Sequence, residues 1–270
     1  YEERRIELIK KIGLTVLLLI GSALLIIAGL VLWISGGRPP EAVSGPAAEL
    51  LAERIEASVN MSAWRENTAA IEFVFLPRQN RHFRDLRRQL IEVRWGTEDH
   101  FKVQYNNRTG RFIAFKNDER LRDASAEDAY RQAVRLHTND FFWLNPFATL
   151  RAPGAERKLA GERALLLTFN SGGVTPGDNY LIITDGDGQP QRWQLWVSLW
   201  YVPNGIEFAF NEWTELSTGA RVALKHPGKL ASIDLEVKSV YGDYPPIGEA
   251  DRFQDLLDYE RELATGGSGL

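Results

Sequence analysis

The stretch ITDGDGQPQRW, residues 183–193, sets two aspartates among glycines, which is the composition of a calcium-binding loop. A loop of the EF-hand type requires glycine at its sixth position and a bidentate acidic residue at its twelfth. Counted from Asp185, those positions hold Pro190 and Trp196, so neither requirement is met. Turn residues between two alternating segments, NYLIIT and QRWQLWVS, are instead typical of a β-hairpin. We therefore predict a hairpin turn here, which leads the chain into Trp193.

The other polar residues show no catalytic or metal-binding pattern. The four histidines, His82, His100, His137 and His226, have none of the spacings HxxxH, HExxH or HxH. The chain has no cysteine and no GxSxG motif of a serine hydrolase. Asp140 is a candidate general acid, but polar residues near a helix end more often bond to adjacent backbone. The sequence thus predicts no catalytic residue, metal or cofactor. A hydrolase that uses His82 or Asp140 is the weakest alternative.

Large aromatic side chains crowd the second half of the chain. In the segment that begins at residue 191, Trp193 alternates onto one face of the strand, and Trp196 and Trp200 onto the other. One face of the strand must pack against the core, and the other must be covered by a helix, a ligand or a partner. Both a covering helix and an apolar ligand cavity remain open. The residues predicted to line such a cavity are Trp143, Trp193, Trp196, Phe208, Phe210 and Trp213.

The charge of the chain argues against nucleic acid as a partner. The net charge is −4, whereas phosphate binding needs a basic surface. A local basic run of Arg81, Arg84, Arg87 and Arg88 is interrupted by Asp85. We predict that this run lies on a solvated strand or loop face.

An apolar segment near the N-terminus predicts a transmembrane helix. Residues 12–35 contain no charged side chain, and as a helix they reach about 30 Å or slightly more, the thickness of a bilayer core. The run is longer than the apolar region of about 7–15 residues in a removable signal peptide. The basic pairs RR and KK precede it, and Arg38 alone follows closely. The positive-inside rule therefore predicts that residues 1–11 are cytoplasmic and that the body lies outside.

The elements that follow the apolar segment predict a β-rich domain. A Gly/Pro/Ser linker over 36–45 leads to a helix whose first turn contains Pro46. From residue 71 the apolar period becomes two, and ten or eleven short strands follow, interrupted by a helix that Ser125 is predicted to cap. Residues 244–270 read as a C-terminal helix and a flexible tail. The predicted class is α+β, mainly antiparallel β.

Three segments carry a resemblance to a known family: NDFFWLNPF, GGVTPGDNYLIITDGDGQPQRWQLWVS and WTELSTGARVALKH. With the order of elements over residues 46–243, they resemble the lipoprotein-carrier (LolA/LolB-like) fold of bacterial envelope proteins. That resemblance implies an incomplete, half-open β-barrel that helices cover around an apolar cavity. It implies a cavity for acyl chains or another hydrophobic ligand. It implies no known activity, because a fold does not determine a function.

The resemblance and the anchor together predict a non-catalytic binding protein for a lipid, acyl chain or lipoprotein. We expect it in the bacterial cytoplasmic (inner) membrane, with its main domain on the periplasmic side. The carriers of this family shuttle as free or lipid-modified proteins, whereas a transmembrane anchor favours local hand-off at the membrane. The alternative is an interaction or assembly subunit of an envelope complex, whose exposed aromatic residues dock a partner and whose cavity is filled by its own side chains.

Overall fold

The computed structural model describes residues 2–34, 38–170, 177–197 and 205–266. This part of the chain is an α+β structure of helices and antiparallel strands. The helices are α1 (Glu2–Ile34), α2 (Pro46–Ser58), α3 (Met61–Glu66), α4 (Asp123–Leu144) and α5 (Gln254–Gly266), with a short 3-10 helix at Pro146–Thr149. The strands are β1 (Ala70–Phe75), β2 (Asn80–Asp85), β3 (Leu90–Trp95), β4 (Phe101–Asn106), β5 (Phe112–Lys116), β6 (Glu119–Arg120), β7 (Ala155–Ala160), β8 (Ala164–Phe169), β9 (Asn179–Thr184), β10 (Pro190–Trp196), β11 (Ile206–Ala209), β12 (Asn211–Glu215), β13 (Arg221–Pro227) and β14 (Ser232–Tyr241).

Helix α1 is long and apolar enough to span a membrane. Its candidate span, Lys11–Val31, has a mean hydropathy of 2.8, and none of it is buried. The predicted apolar helix is thus confirmed. The helix extends beyond the predicted span toward the N-terminus, because the charged residues from Glu2 onward continue the same helix.

The strands form two antiparallel sheets that one segment joins. The nine-stranded sheet has the order β12-β13-β14-β1-β2-β3-β4-β5-β6, and the five-stranded sheet has the order β11-β10-β9-β8-β7. Strand β11 pairs with β10, and β12, one residue later, pairs with β13. The residue between them is Phe210, so the chain passes from one sheet to the other at this point. One set of buried apolar residues contains members of both sheets and of α2, α3 and α4.

The fourteen strands of the described residues exceed the predicted ten or eleven. One extra strand arises from the change of sheet at Phe210, and the two-residue strand β6 is another. The third is β2, NRHFRD, where the sequence predicts a solvated basic face. This prediction is wrong for Arg84, whose Nε is buried, and for Arg88, which pairs with Asp251, whereas Arg81 and Arg87 are exposed.

The helix starts show one success and one correction. Pro46 occupies the first turn of α2, as predicted. Helix α4 begins at Asp123 rather than after Ser125, and the Ser125 hydroxyl donates to the carbonyl of Arg122 instead of capping the helix. The predicted linker is also not free throughout, because Val43 exchanges backbone hydrogen bonds of 2.9 and 2.8 Å with Leu159 of β7.

The C-terminal segment covers the outer face of the nine-stranded sheet. That face carries two buried carboxylates, Glu72 and Glu92, beside apolar residues. The guanidinium of Arg252 pairs with Glu72 at 3.3 Å and with Glu92 at 3.5 Å. Phe253 and Leu256 are fully buried on the same face. Residues 251–266 therefore act as a strap across the sheet, and α4 covers its inner face.

Candidate functional site

The predicted hairpin turn positions the centre of the site. The side-chain oxygen Oδ1 of Asp185 accepts the backbone N–H groups of Asp187 and Gln189, both at 2.9 Å. The flanking strands β9 and β10 then pair, with Trp193 opposite Ile182. The turn prediction is confirmed, and the Asp185 carboxylate stabilises the turn itself.

Trp193 is the centre of a group of aromatic rings between the two sheets. Its ring centroid lies 4.9 Å from that of Trp143, 5.2 Å from that of Phe210 and 5.4 Å from that of Phe142. The ring of Trp143 also meets that of Phe208 at 4.9 Å. Trp193 is fully buried. We call Phe142, Trp143, Trp193, Phe208, Phe210 and His226 the aromatic interior.

Four of the six residues predicted to line a cavity lie in the aromatic interior, and two lie apart from it. Trp213 is at its edge, where its ring meets Phe210 at 5.9 Å and the guanidinium of Arg221 at 5.6 Å. Trp196 packs on the opposite face of β10 with Leu181, because residues three apart on a strand point to opposite faces. Trp200 lies outside the described residues.

The aromatic interior contains buried polar atoms without hydrogen-bond partners. These are the indole nitrogen Nε1 of Trp193 and both ring nitrogens of His226. Backbone carbonyls near His226, first that of Trp143, raise its pKa in part, but none meets the geometry of a hydrogen bond. Burial is the larger effect and lowers the pKa of His226 to about 4. Each unsatisfied buried group costs about 1–3 kcal/mol.

The buried imidazole predicts a loss of stability in acid. Since the pKa of His226 is lower in the folded chain than its ordinary 6.5, the unfolded chain binds the proton first as the pH falls below 6.5. The free energy of unfolding therefore falls by up to about 1.4 kcal/mol per pH unit until the pH reaches the pKa of His226 in the folded chain. From pH 7.5 to pH 5, we expect the free energy of unfolding of His226→Leu to fall by about 2 kcal/mol less than that of the parent chain. Urea unfolding of the full chain in detergent measures this.

The exposed His100 provides the matched control. His100→Leu should lose stability in acid as the parent chain does. An equal acid loss in His226→Leu and in the parent chain would contradict the assignment.

A second polar group, which the sequence does not predict, crosses from β2 to α4. The Asp140 carboxylate accepts from Nε2 of His82 at 2.8 Å and from the side-chain amide of Asn80 at 2.8 Å. Nδ1 of His82 lies 3.3 Å from Nδ1 of His137, and Nε2 of His137 lies 3.4 Å from Nη1 of Arg84. His82, His137 and Asp140 are buried. The prediction that Asp140 bonds to adjacent backbone is therefore wrong.

The sequence carries a weak signal for this polar group. Asn80, His82 and Arg84 alternate along one face of β2, which shows only once β2 is recognised as a strand. His137 and Asp140 lie three residues apart on the buried face of α4. Among the described residues, no serine or threonine hydroxyl bonds to either histidine. The group therefore lacks the nucleophile that a hydrolytic triad needs.

Two surface grooves lie away from the aromatic interior. One, of about 670 Å³, lies between β5, the start of α4 and α5, and its lining includes Phe112, Leu121 and Tyr259. The other, of about 410 Å³, lies beside the start of α2 near Arg157. Neither groove contains any of the six predicted aromatic residues.

No protein-family model and no curated protein matches the chain. The features of the described residues that bear on function are therefore the apolar helix α1, the aromatic interior and the polar group.

Proposed function

We propose that the chain is a membrane-anchored, non-catalytic domain that binds the apolar chain of a lipid or lipoprotein between its two sheets. Two sheets joined at Phe210 and covered by helices agree with the half-open barrel that the family resemblance implies. The helix α1 supports a single-pass anchor. The basic pairs before it support a cytoplasmic N-terminus and a periplasmic domain.

The observation that carries the proposal is the combination of aromatic walls and unsatisfied polar atoms at one place. Ligand sites for apolar molecules are lined by aromatic side chains and contain a few polar groups that fix orientation. Trp193 Nε1 is a donor, and in the neutral ring of His226 one nitrogen is an acceptor. An ester carbonyl or a hydroxyl at the end of an acyl chain would satisfy one of them. Burial of the chain itself would contribute about 25 cal/mol per Å² before the costs of association.

Photocrosslinking tests the proposal. The full chain is placed in vesicles that contain a phospholipid with a diazirine on its acyl chain, and the labelled peptides are identified by mass spectrometry. We expect labelled positions in α1 and also in the peptides that contain Trp143, Trp193 and Phe210. Trp193→Phe, which removes the N–H donor, should reduce labelling of the aromatic interior several-fold relative to α1.

Trp196→Phe is the matched control, because Trp196 belongs to the same strand and points to its other face. It should leave the labelling ratio unchanged. Labelling confined to α1 in the parent chain would overturn the proposal, since lipid would then contact the anchor alone.

The close packing of the aromatic interior favours a second candidate, an assembly subunit of an envelope complex. Trp193 has no exposed surface, and its ring neighbours fill the space around it. An interior filled in this way by the protein itself would serve as a scaffold for a partner. Native mass spectrometry after gentle extraction separates the candidates. Co-purified lipid supports the binding domain, whereas a lipid-free chain with a stoichiometric protein partner, lost in Trp200→Ala, supports the assembly subunit.

A further inference from the structure

The polar group between β2 and α4 has one permitted arrangement of protons. A guanidinium only donates hydrogen bonds and a carboxylate only accepts them. Arg84 at one end and Asp140 at the other therefore fix the direction of every link. His82 must carry its proton on Nε2, toward Asp140, and His137 must carry its proton on Nδ1, toward His82. Both imidazoles are neutral in this arrangement.

One additional proton on the imidazole rings breaks this arrangement at whichever ring nitrogen it is placed. On Nδ1 of His82, it opposes the N–H of His137 across 3.3 Å. On Nε2 of His137, it opposes the N–H groups of Arg84 across 3.4 Å, and two positive charges then face each other. Any other placement of three protons on the rings of His82 and His137 also leaves two N–H groups facing each other, either between the rings or between His137 and Arg84. A third ring proton can therefore enter only if β2 and α4 separate.

The surroundings of the two histidines provide no compensation. The titratable and charged groups that face them are Arg84 from β2, Asp140 from α4 and, beside Arg84, Tyr105 from β4. Burial raises the pKa of Tyr105, so its hydroxyl stays neutral. Burial, Arg84 and His82 hold the pKa of His137 well below its ordinary value. The Asp140 carboxylate accepts from Asn80 and Asn139 as well as from His82, and it lies on the Nε2 side of His82, away from the contact between the two rings.

Helix α4 connects this polar group with the aromatic interior. His137 and Asp140 bond on the β2 side, and the next residues of the helix, Phe142 and Trp143, pack against Trp193. Because these residues lie within two turns of one helix, separation of α4 from β2 must also shift the wall over Trp193.

We propose that Arg84, His137, His82 and Asp140 form an acid-sensitive latch, and that proton uptake releases α4 and opens the aromatic interior. The latch follows from the hydrogen-bond geometry alone. The statement that it governs ligand access rests on the proposed function.

Hydrogen exchange of the full chain in detergent tests the latch between pH 7.5 and pH 4.5. The protection factor of each peptide, which corrects for the intrinsic effect of pH, is the quantity compared. We expect protection over residues 134–144 to fall by up to tenfold per pH unit below about 6.5, while protection of α2 falls less. His137→Leu should flatten this dependence, and His137→Gln gives a second test in case the first variant folds poorly. His100→Leu, at an exposed site, should keep the parent slope.

The outcomes separate the latch from the ligand site. Equal slopes in the parent chain and in a folded His137 variant overturn the latch, as does unchanged protection of residues 134–144 in acid. Binding of the neutral dye N-phenyl-1-naphthylamine is followed in the same samples. Opening of α4 together with increased dye binding supports both proposals. Opening without any change in dye binding supports the latch and counts against an apolar ligand site.

Discussion

Trp193→Ala is expected to lower the free energy of unfolding of the domain by about 3–5 kcal/mol, the range for removing a large aromatic side chain from a closed core. The side chain is fully buried. Its neighbours Phe142 and Trp143 are held in α4, and Phe210 is held between β11 and β12, so they cannot readily move into the space. Urea unfolding of the full chain in detergent, followed by circular dichroism, measures the loss.

Trp196→Ala is the control for this substitution, because Trp196 is only partly buried and packs in a smaller cluster on the other face of the same strand. Its loss should be clearly smaller. Similar losses for the two variants would contradict the placement of Trp193 at the centre of the main core. Saturation with a phospholipid that restores Trp193→Ala would add support for an apolar ligand site, since a ligand that binds only the folded state raises stability.

Phe253→Ala is expected to have the second large effect, a loss of about 3–5 kcal/mol if the strap and the sheet unfold together. Phe253 is fully buried against the outer face of the nine-stranded sheet, where its ring lies 5.9 Å from that of Phe83. If the strap instead detaches by itself, the loss appears as rapid proteolysis of residues 251–266 with the rest of the domain intact. Limited proteolysis beside urea unfolding separates the two results.

Leu263→Ala lies in the same strap, on α5, at a side chain that is 45% exposed, and it should change neither measurement appreciably. A Phe253→Ala chain with full stability and a protease-resistant C-terminus would show that the ion pairs of Asp251 and Arg252 hold the strap without the aromatic anchor.

The features that the sequence predicts correctly depend on neighbouring residues. Helix α1 follows from an uninterrupted apolar run. The turn before Trp193 follows from an aspartate whose side chain bonds to the backbone two and four residues later. The opposite directions of Trp193 and Trp196 follow from the two-residue period of a strand. In each case the determining contact lies within a few positions along the chain.

The features that the sequence does not reveal depend on distant residues. Strand β2 lacks apolar alternation because its inward positions are His82 and Arg84, whose partners in α4 come more than fifty residues later. The change of sheet at Phe210 requires two sheets that are already placed. Composition groups Trp213 and Trp196 with the cavity residues. It cannot show that Trp213 lies at the edge of the aromatic interior or that Trp196 lies on the other face of β10.

The pairing of β1 with β14 determines when the domain can fold during synthesis. β1 is an interior strand of the nine-stranded sheet, yet one of its edges pairs with residues near the end of the chain, Ala70 with Tyr241. Until those residues emerge, one edge of β1 is unpaired. Glu72 and Glu92 on the outer face also lack the strap that later covers them and pairs with them through Arg252. Non-local pairing of this kind makes folding slow and exposes strand edges in the meantime. If α1 anchors the chain as proposed, a chain inserted through α1 would pass that interval tethered at the membrane.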